Sequence, residues 1–470
     1  MPAVRGPSAP SVLPPTLETA PEALRERPEW LAAVELGQRV KCLEQQLQHI
    51  ETSRSWALTR PLRRLVAMLH PPPQWSPPAL LPAQAGATPP SPYRGPALPG
   101  TPLRSLYLDV TELVTGMVYG GVQRLSRRLL TQWLVCPPAG FVVEPVRLAQ
   151  GGHYVHARQF LAAFTGRDAG SLGHDTPLCP ASGGLFIGLD LVRDHPEPYA
   201  QGLAALRSAG VRVATVVCDL LPLTHPQWFP GDAPKRFAAW WQAVLASSDA
   251  LCCISHATAE AVRDWATQAG VGGVEPRLRV FPLGGDLPPY PRLVHSMPDA
   301  ETSRLRLLTV GTVEPRKGHA EVLDVLEPLW ASGHDIGWTL MGRMGWCDPG
   351  LLGRIEALMR RGAAITWQQD ADDMALAEAY TRHDALLMAS QGEGFGLPVA
   401  EAMHAGLPLI LRDLPVFCEA AGDNALYFGG PHSPSLKTVL ARGNLKTALP
   451  RPASAGRWAD AAKALLDAAN

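Results

Sequence analysis

Several absences limit what this chain of 470 residues can be. Its 42 Lys and Arg meet 43 Asp and Glu, a formal net charge of −1, so it lacks the basic surplus that a phosphate backbone demands, and nucleic acid is not expected as a partner. Nowhere do roughly 18 apolar residues run together, which argues against a bilayer-spanning helix. The eight cysteines (Cys42, Cys136, Cys179, Cys218, Cys252, Cys253, Cys347 and Cys418) include no C-x-x-C pair. Most lie in apolar stretches, so they are expected to be reduced core residues rather than disulfides or zinc ligands. The opening MPAVRGPSAPSVLPP lacks the apolar core of a signal peptide, and a cytoplasmic location is expected.

Proline, by contrast, is abundant, and it gathers in residues 1–30 and again from Pro71 to Pro102. Runs such as PPPQWSPP cannot form regular structure and read as linkers. Between them Leu36, Val40, Leu43, Leu47 and Ile50 keep the 4-3-4-3 spacing of a coiled-coil seam for barely two heptads. Ser53 to Leu69 combines Trp56, Leu58, Leu62, Leu65 and Val66 with Arg54, Arg60, Arg63 and Arg64. Such a basic amphipathic stretch can lie on an anionic membrane, and it can equally pack on its own protein. Residues 1–103 are therefore read as a Pro-rich extension with a short coiled-coil or amphipathic helix at about 30–69.

From Arg104 onward strand and helix alternate, the pattern of a parallel sheet covered on both faces. Strands are expected at Leu106 to Val110, Leu185 to Gly188, Val211 to Val217 and Ala250 to Ile254, with a helix near Val122 to Leu134. Pro282 to Ala300 reads as a hinge. A second run follows, with strands at Leu305 to Val310, Trp338 to Met341, Ile365 to Trp367, Ala385 to Ala389 and Leu407 to Leu411, and a last helix Trp458 to Ala469. The chain thus divides into an α/β domain over 104–290 and another over 300–470.

Two motifs carry the chemistry. Strand Leu305 to Val310 ends in Gly-Thr-Val-Glu-Pro-Arg-Lys-Gly, with a helix opening near His319. Arg316 and Lys317 then oppose a helix macrodipole by roughly 0.3–1 kcal/mol each. Local stability does not account for them; an anion at the C-terminal edge of a parallel sheet does. The second motif, Glu393 to Glu401, reads EGFGLPVAE after an apolar strand. Gly394 and Gly396 permit close backbone approach, Pro398 suits a first helical turn, and the N–H groups of Phe395, Gly396 and Leu397 face anything negative. Glu401 in a first turn is favoured by the dipole alone, whereas Glu393 precedes the turn and has no such reason. Because the glycines separate them, the two carboxylates suit opposite ends of a long ligand better than one glycosidic bond flanked at roughly 5–10 Å.

Weaker signals surround these. Gly342-Arg343-Met344-Gly345-Trp346 follows a strand and reads either as a donor-site turn or as a plain loop. Gly116 and then Gly120-Gly121-Val122-Gln123-Arg124 form a glycine turn into a helix, suited to a diphosphate or to nothing beyond a tight turn. Strand Val211 to Val217 ends in Cys218-Asp219, with His225 beside Pro226 in the loop beyond, and Ser255 stands where a helix N-cap is expected. No metal-holding Asp-x-Asp is expected at a sheet edge.

Together the Arg316-Lys317 pair and the Glu393-to-Glu401 segment resemble the retaining sugar-nucleotide glycosyltransferases of family 4, the glycosyl transferases group 1. The resemblance covers residues 104–470 and is strongest from Leu305 to Tyr427. It implies a GT-B fold, two facing Rossmann-like doubly wound domains with a C-terminal crossover helix. It also implies roles: Arg316 and Lys317 clasp the nucleotide diphosphate, Glu393 takes the hydroxyls of the donor sugar, Glu401 the ribose, and Gln368 to Asp373 lie where relatives meet the base. Gly120-Gly121 matches the family's first-domain glycine loop. Cys218 stands where relatives often carry His or Tyr, which leaves Asp219 as the first-domain catalytic candidate. VGTVEPRKGH with GRMGW most resembles O-antigen mannosyltransferases. The function implied is transfer of a hexose, preferably mannose from GDP-mannose, otherwise from a UDP-linked donor, to a growing glycan or lipid-linked saccharide in bacterial surface-polysaccharide synthesis. Retention of configuration is implied, with no cofactor and no metal. Residues 53–69 resemble a segment of bacterial polysaccharide-assembly enzymes and would allow peripheral contact with the inner face of the cytoplasmic membrane. Two other classes stay open, a nucleotide-sugar epimerase of the same fold and a non-catalytic scaffold. The oligomeric state is not legible.

Overall fold

Short runs such as Leu185–Gly188 and Ala250–Cys253 are apolar at every position, and both are buried throughout. That is the signature of parallel strands covered on both faces. The computed structural model describes residues 93–115, 120–168, 171–287, 304–346, 348–442 and 455–470, with 445, 449, 450 and 452. The proline-rich stretches up to Pro90, the Leu36 to Ile50 seam, the Ser53 to Leu69 segment, Gly116, and most of the Pro282 to Ala300 hinge lie outside them.

The chain falls into two units. One joins Met1–Thr88 to Arg158–Thr176, and its described part holds the helix Arg158–Phe164, in which the Phe160 and Phe164 rings lie 5.5 Å apart. The other, Pro89–Ala157 with Pro177–Asn470, carries two sheets. The first is built from β1 (Arg104–Asp109), β2 (Phe141–Leu148), β3 (Tyr154–His156), β4 (Leu185–Gly188), β5 (Arg212–Val217), β6 (Ala250–Cys253) and β7 (Leu278–Val280), in the order 3-2-1-4-5-6-7. Only the pairing of β3 with β2 is antiparallel. The second has β8 (Leu305–Val310), β9 (Ile336–Met341), β10 (Ile365–Gln368), β11 (Ala385–Met388), β12 (Leu409–Arg412) and β13 (Ala425–Phe428), in the order 10-9-8-11-12-13 and parallel throughout. Each sheet reverses its order once, beside β1 in the first and beside β8 in the second, and such reversals open the crevices where doubly wound folds bind ligands.

Each domain has its own core. Tyr107, Phe186, Trp240 and Trp241 fill one, and Leu307, Leu323, Trp338 and Ile410 fill the other. The terminal helix Trp458–Ala469 buries Trp458, Ala461, Ala462, Leu465 and Ala469 on one stripe. It follows the second sheet yet packs on helix Gly121–Val135 and on β6 and β7 of the first. Arg212 fixes its end by donating to the Ala469 carbonyl at 2.8 Å. This crossover completes the GT-B architecture. Leu465 is fully buried in the seam, and truncating it to Ala would cost about 2–5 kcal/mol.

Two expectations need correction. The strand list omitted β2, β3, β7 and β13; β2 contains Pro145, which has no N–H to give a ladder and so argues against a strand, and its carbonyl accepts from Ala157 at 2.9 Å just beyond the end of the three-residue β3. The cysteines are not uniformly core residues either: Cys218, Cys252 and Cys253 are buried, but Cys136, Cys179 and Cys418 are exposed, and these six are free thiols. Cys136 illustrates why, since it caps a helix end, where the chain leaves the core.

Candidate functional site

The strands β8 and β11 are neighbours, and the chain leaves them at the point where the second sheet reverses its order. Two motifs 76 residues apart thereby meet. The loops are tied by their backbones: Gln391 N–H donates to the Arg316 carbonyl at 2.6 Å, and Arg316 Nη1 donates to the Gly392 carbonyl at 2.8 Å. Between them lies a compact charge cluster. Lys317 Nζ is 2.5 Å from Glu393 Oε1, and Arg316 Nη1 is 2.9 Å from Glu393 Oε2. Arg316 Nε also lies 2.7 Å from Glu314 Oε1, a contact of charges without an aligned N–H. The Lys317 and Glu393 side chains are 11% and 8% exposed, so these charges are largely withdrawn from water.

Such burial is costly unless each ion is paired. Burial alone would raise the Glu393 carboxyl, but Lys317 and Arg316 outweigh it and hold the group at about 2. Lys317 is drawn below its ordinary value by burial and by the neighbouring guanidinium, only partly offset by Glu393. The Glu393 carboxylate faces two cations, which keeps its charge in spite of burial. Glu314 and the half-buried Asp219 are raised, chiefly by burial. Two cations packed against carboxylates at a sheet edge can exchange those partners for the oxygens of an anionic ligand.

Helix Leu397–Ala405 begins at this cluster. Its N-cap Gly396 has φ +89°, and a Cβ there would lie 2.7 Å from the Phe417 ring, so glycine is required on both counts. Pro398 sits in the first turn and Gly406 ends the helix. Among the described residues no protein acceptor is bonded to the N–H groups of Phe395, Gly396 and Leu397, which leaves them available to an anion at the helix N-terminus. Glu401, one turn in, is buried and fully engaged: Oε2 accepts from the Tyr380 hydroxyl and Oε1 from Arg124 Nη1, each at 2.7 Å.

Arg124 comes from the first domain, as do several groups that close on the glutamate turn. Gly394 packs so tightly on the end of β5 that a Cβ would lie 1.8 Å from the Cys218 carbonyl. Its own carbonyl accepts from Ser255 Oγ at 2.6 Å and Thr258 Oγ1 at 3.0 Å. Ser255 is the expected N-cap of helix His256–Ala269, accepting from Thr258 N–H, and it does more by reaching the second domain. Glu419 caps the same helix from across the crevice, accepting from His256 and Ala257 N–H at 2.7 and 2.9 Å. A Cβ on Gly121 would lie 4.0 Å from Leu397 Cδ1, and Arg128 meets Asp373 at 2.9 Å. The two glycine turns therefore oppose one another.

The remaining candidates fall around this centre. Asp219 accepts from Leu221 N–H at 3.0 Å, and its carboxyl feels Arg316, Glu393 and Lys317. Gly342 donates to the Gln368 carbonyl, and the Arg343 carbonyl accepts from Val313 N–H, both at 2.9 Å, so this turn is held beside the Arg316 loop. His225 stacks on Trp228 in a loop. Against expectation, an Asp-x-Asp does occur at a sheet edge: Asp370-Ala371-Asp372 follows β10, but Asp372 serves as an N-cap, accepting from Met374 and Ala375 N–H. Among the described residues no group of three potential metal ligands gathers. Arg124, Tyr380 and Thr258 were not singled out from sequence; an arginine three residues beyond Gly121 carries no signal until its partner on another domain is known.

Residues 298–435, which contain both charged motifs and the helix after them, match the glycosyl transferases group 1 family, so the chain carries a domain of that kind. Its relatives are more particular. It is 34% identical over 338 residues to the serotype-specific mannosyltransferase WbdA of Escherichia coli, covering 70% of this chain and 41% of WbdA. It is 32% identical over 120 residues to the O-antigen chain mannosyltransferase B of Escherichia coli, covering 25% of this chain and 31% of that protein. The chain thus spans about two fifths of the length of WbdA. Among solved structures, Anabaena Alr3699/HepE in complex with UDP and glucose aligns with a TM-score of 0.49 at 15% identity, over 77% of this chain and 94% of that one.

Proposed function

We propose that the chain is a glycosyltransferase of bacterial surface-polysaccharide synthesis, moving a hexose from a nucleotide sugar, preferably mannose from GDP-mannose, to a growing glycan or lipid-linked saccharide. The observation that carries this reading is the Arg316–Lys317–Glu393 cluster at the switch point of the second sheet, beside a helix N-terminus with open N–H groups. The mannosyltransferase names of the relatives favour mannose as the sugar.

In this account the donor diphosphate draws Arg316 and Lys317 off Glu393, and the N–H groups of Phe395, Gly396 and Leu397 take the distal phosphate. Glu393 is then released to accept hydroxyl hydrogen bonds from the donor sugar. Glu401 takes the ribose by exchanging one of its present partners, Arg124 or Tyr380. The glycosidic C1–O bond to the phosphate breaks, and a C1–O bond to the acceptor hydroxyl forms on the same face. The acceptor's proton passes to the departing phosphate oxygen, so configuration is retained and no side chain serves as base. Two fixed cations and a helix N-terminus supply the charge stabilisation at the diphosphate, so the reaction runs without a metal. Asp219, raised by burial and close to the cluster, orients the sugar from the first-domain side.

The test is transfer from GDP-mannose, UDP-glucose and UDP-N-acetylglucosamine to a mannose-terminated saccharide in the presence of EDTA, with the product read by NMR. Turnover with GDP-mannose and an α-linked product are expected. A β-linked product would remove retention, loss of activity restored by Mg²⁺ would remove metal independence, and no transfer from any donor would remove the reading as a whole.

A further inference from the structure

Four large hydrophobic side chains are exposed among the described residues, and two of them, Met344 at 51% and Trp346 at 40%, stand in one turn after β9. The turn is not a loose loop. Met344 bridges to Val313, Gly345 N–H donates to the Val313 carbonyl at 3.1 Å, and a Cβ on Gly345 would lie 2.6 Å from Thr312 Cγ2. The backbone that carries Trp346 is thereby fixed to the loop that carries Arg316 and Lys317.

The indole points toward the first domain. Trp346 Nε1 donates to the Trp228 carbonyl at 2.7 Å, and the Phe229 ring lies 5.9 Å from it. Trp228 is itself clamped, with His225 stacked on it at 4.1 Å and 9° and with Gly392, the neighbour of Glu393, so close that a Cβ would lie 2.7 Å from its ring. An aromatic rim therefore runs from the residue beside Glu393 outward to an exposed indole. Its location suits an acceptor: β10, after which the family resemblance would put the nucleotide base, lies on the far side of β9 from β8, whereas Trp346 reaches to the other domain.

Fixed apolar surface left in water next to a polar site marks a contact with a ligand rather than a packing error. A flat ring with its N–H already satisfied presents a face suited to the C–H groups of a pyranose, whose hydroxyls stay hydrated at the edge. We propose that the Trp346 rim, with Phe229 and Met344 beside it, is the subsite for a hexopyranose ring of the acceptor saccharide. This rests on the glycosyltransferase reading and adds the residue that seats the incoming sugar.

The experiment uses the full chain and two probes, an α-linked mannotriose and the same trisaccharide on a polyprenyl-diphosphate analogue. Saturation-transfer NMR of the free mannotriose, with no donor present, reports binding without turnover. Acceptor KM is then measured with both probes for the wild type and for Trp346→Ala, Trp346→Phe and Met359→Ala, the last an exposed hydrophobe elsewhere. The subsite predicts that Trp346→Ala loses the NMR transfer to the sugar ring and raises KM about tenfold for both probes. Trp346→Phe keeps most of the binding, since the ring face remains, and Met359→Ala matches the wild type. Unchanged KM and NMR transfer in Trp346→Ala would overturn the subsite while leaving the proposed function standing; a rise confined to the lipid-linked probe would overturn it in favour of a lipid contact. If the wild type binds mannotriose but transfers to neither probe, the proposed function fails and the rim is a saccharide-binding surface rather than an acceptor subsite.

Discussion

The C-terminal edges of the two sheets share a strand order but resolve buried charge in opposite ways. At the second edge Glu393 is paired with Lys317 and Arg316 and stays ionised, held at about 2. At the first edge Asp109 ends β1 and Asp190 follows β4, and their bonded partners are hydroxyls and backbone N–H groups rather than cations: the Thr111 and Tyr154 hydroxyls and Thr111 N–H donate to Asp109, and the Ser126 hydroxyl and Leu113 N–H to Asp190. Burial pushes Asp109 to about 6, and burial with the nearby Asp109 pushes Asp190 to about 8. Glu112 rises to about 7 through burial and then through Asp194 and Asp109. One edge keeps its charge by importing cations and is ready for an anion. The other, among the described residues, has no cation bonded to its two aspartates, and there burial leaves Asp190, at about 8, holding its proton near neutral pH.

The largest effect should follow from breaking the charged edge. Lys317→Ala and Glu393→Ala should each lower kcat by roughly 10²–10³, because each removes a contact that strengthens at the departing phosphate or the sugar. Comparable kcat in both variants and wild type, by radiolabelled transfer, would sink the clasp. Next comes the contact that joins the two edges. Gly394→Ala forces a Cβ into the Cys218 carbonyl, and the displaced turn should reduce kcat/KM by about 10²-fold; an unaffected variant would mean that closure on Gly394 is not needed for turnover.

Smaller effects concern stability. Arg124→Ala leaves Glu401 buried with only Tyr380, at a cost of about 1–3 kcal/mol in urea unfolding. A smaller loss than half of that would show the ion pair to be dispensable. The smallest separates the edges by pH. A carboxyl raised in the folded state holds a proton that the unfolded chain releases, so the first edge loses stability as pH rises from about 4 through the folded values near 6 to 8. Glu393 has the opposite sign: its contribution is full above the ordinary glutamate value of 4.5 and is lost as pH falls toward 2. Calorimetry between pH 6 and 8.5 should therefore show a falling Tm, by about 2–4 °C, that Asp190→Asn flattens. An identical slope in the variant would contradict a proton held on Asp190.

The same contrast decides what was legible in the sequence. On the second domain the strands Leu305–Val310 and Ala385–Met388, the helix stop at Gly406 and the meeting of Arg316 with Glu393 all follow from local signals at a switch point. Strong motifs there sit on adjacent strands, so topology alone brings them together. The first domain was less readable. Pro145 hid a strand, and three residues made β3 and β7 too short to show a period. Contacts across the crevice were opaque for another reason: Arg124 with Glu401, Ser255 with Gly394 and Trp346 with Trp228 join residues more than a hundred positions apart, where spacing carries no information. Asp370 and Asp372 show the reverse hazard, a metal-like pattern that a helix cap explains.

The central claim is that Arg316 and Lys317 exchange Glu393 for a diphosphate, and calorimetric titration with GDP and GDP-mannose in EDTA tests it most directly. Glu393→Ala should bind GDP at least as tightly as the wild type, because the competing carboxylate is gone, yet lose the added affinity for GDP-mannose. Lys317→Ala should lose both. Wild-type GDP affinity in Lys317→Ala, or GDP binding abolished in Glu393→Ala while its melting temperature is unchanged, would contradict the exchange.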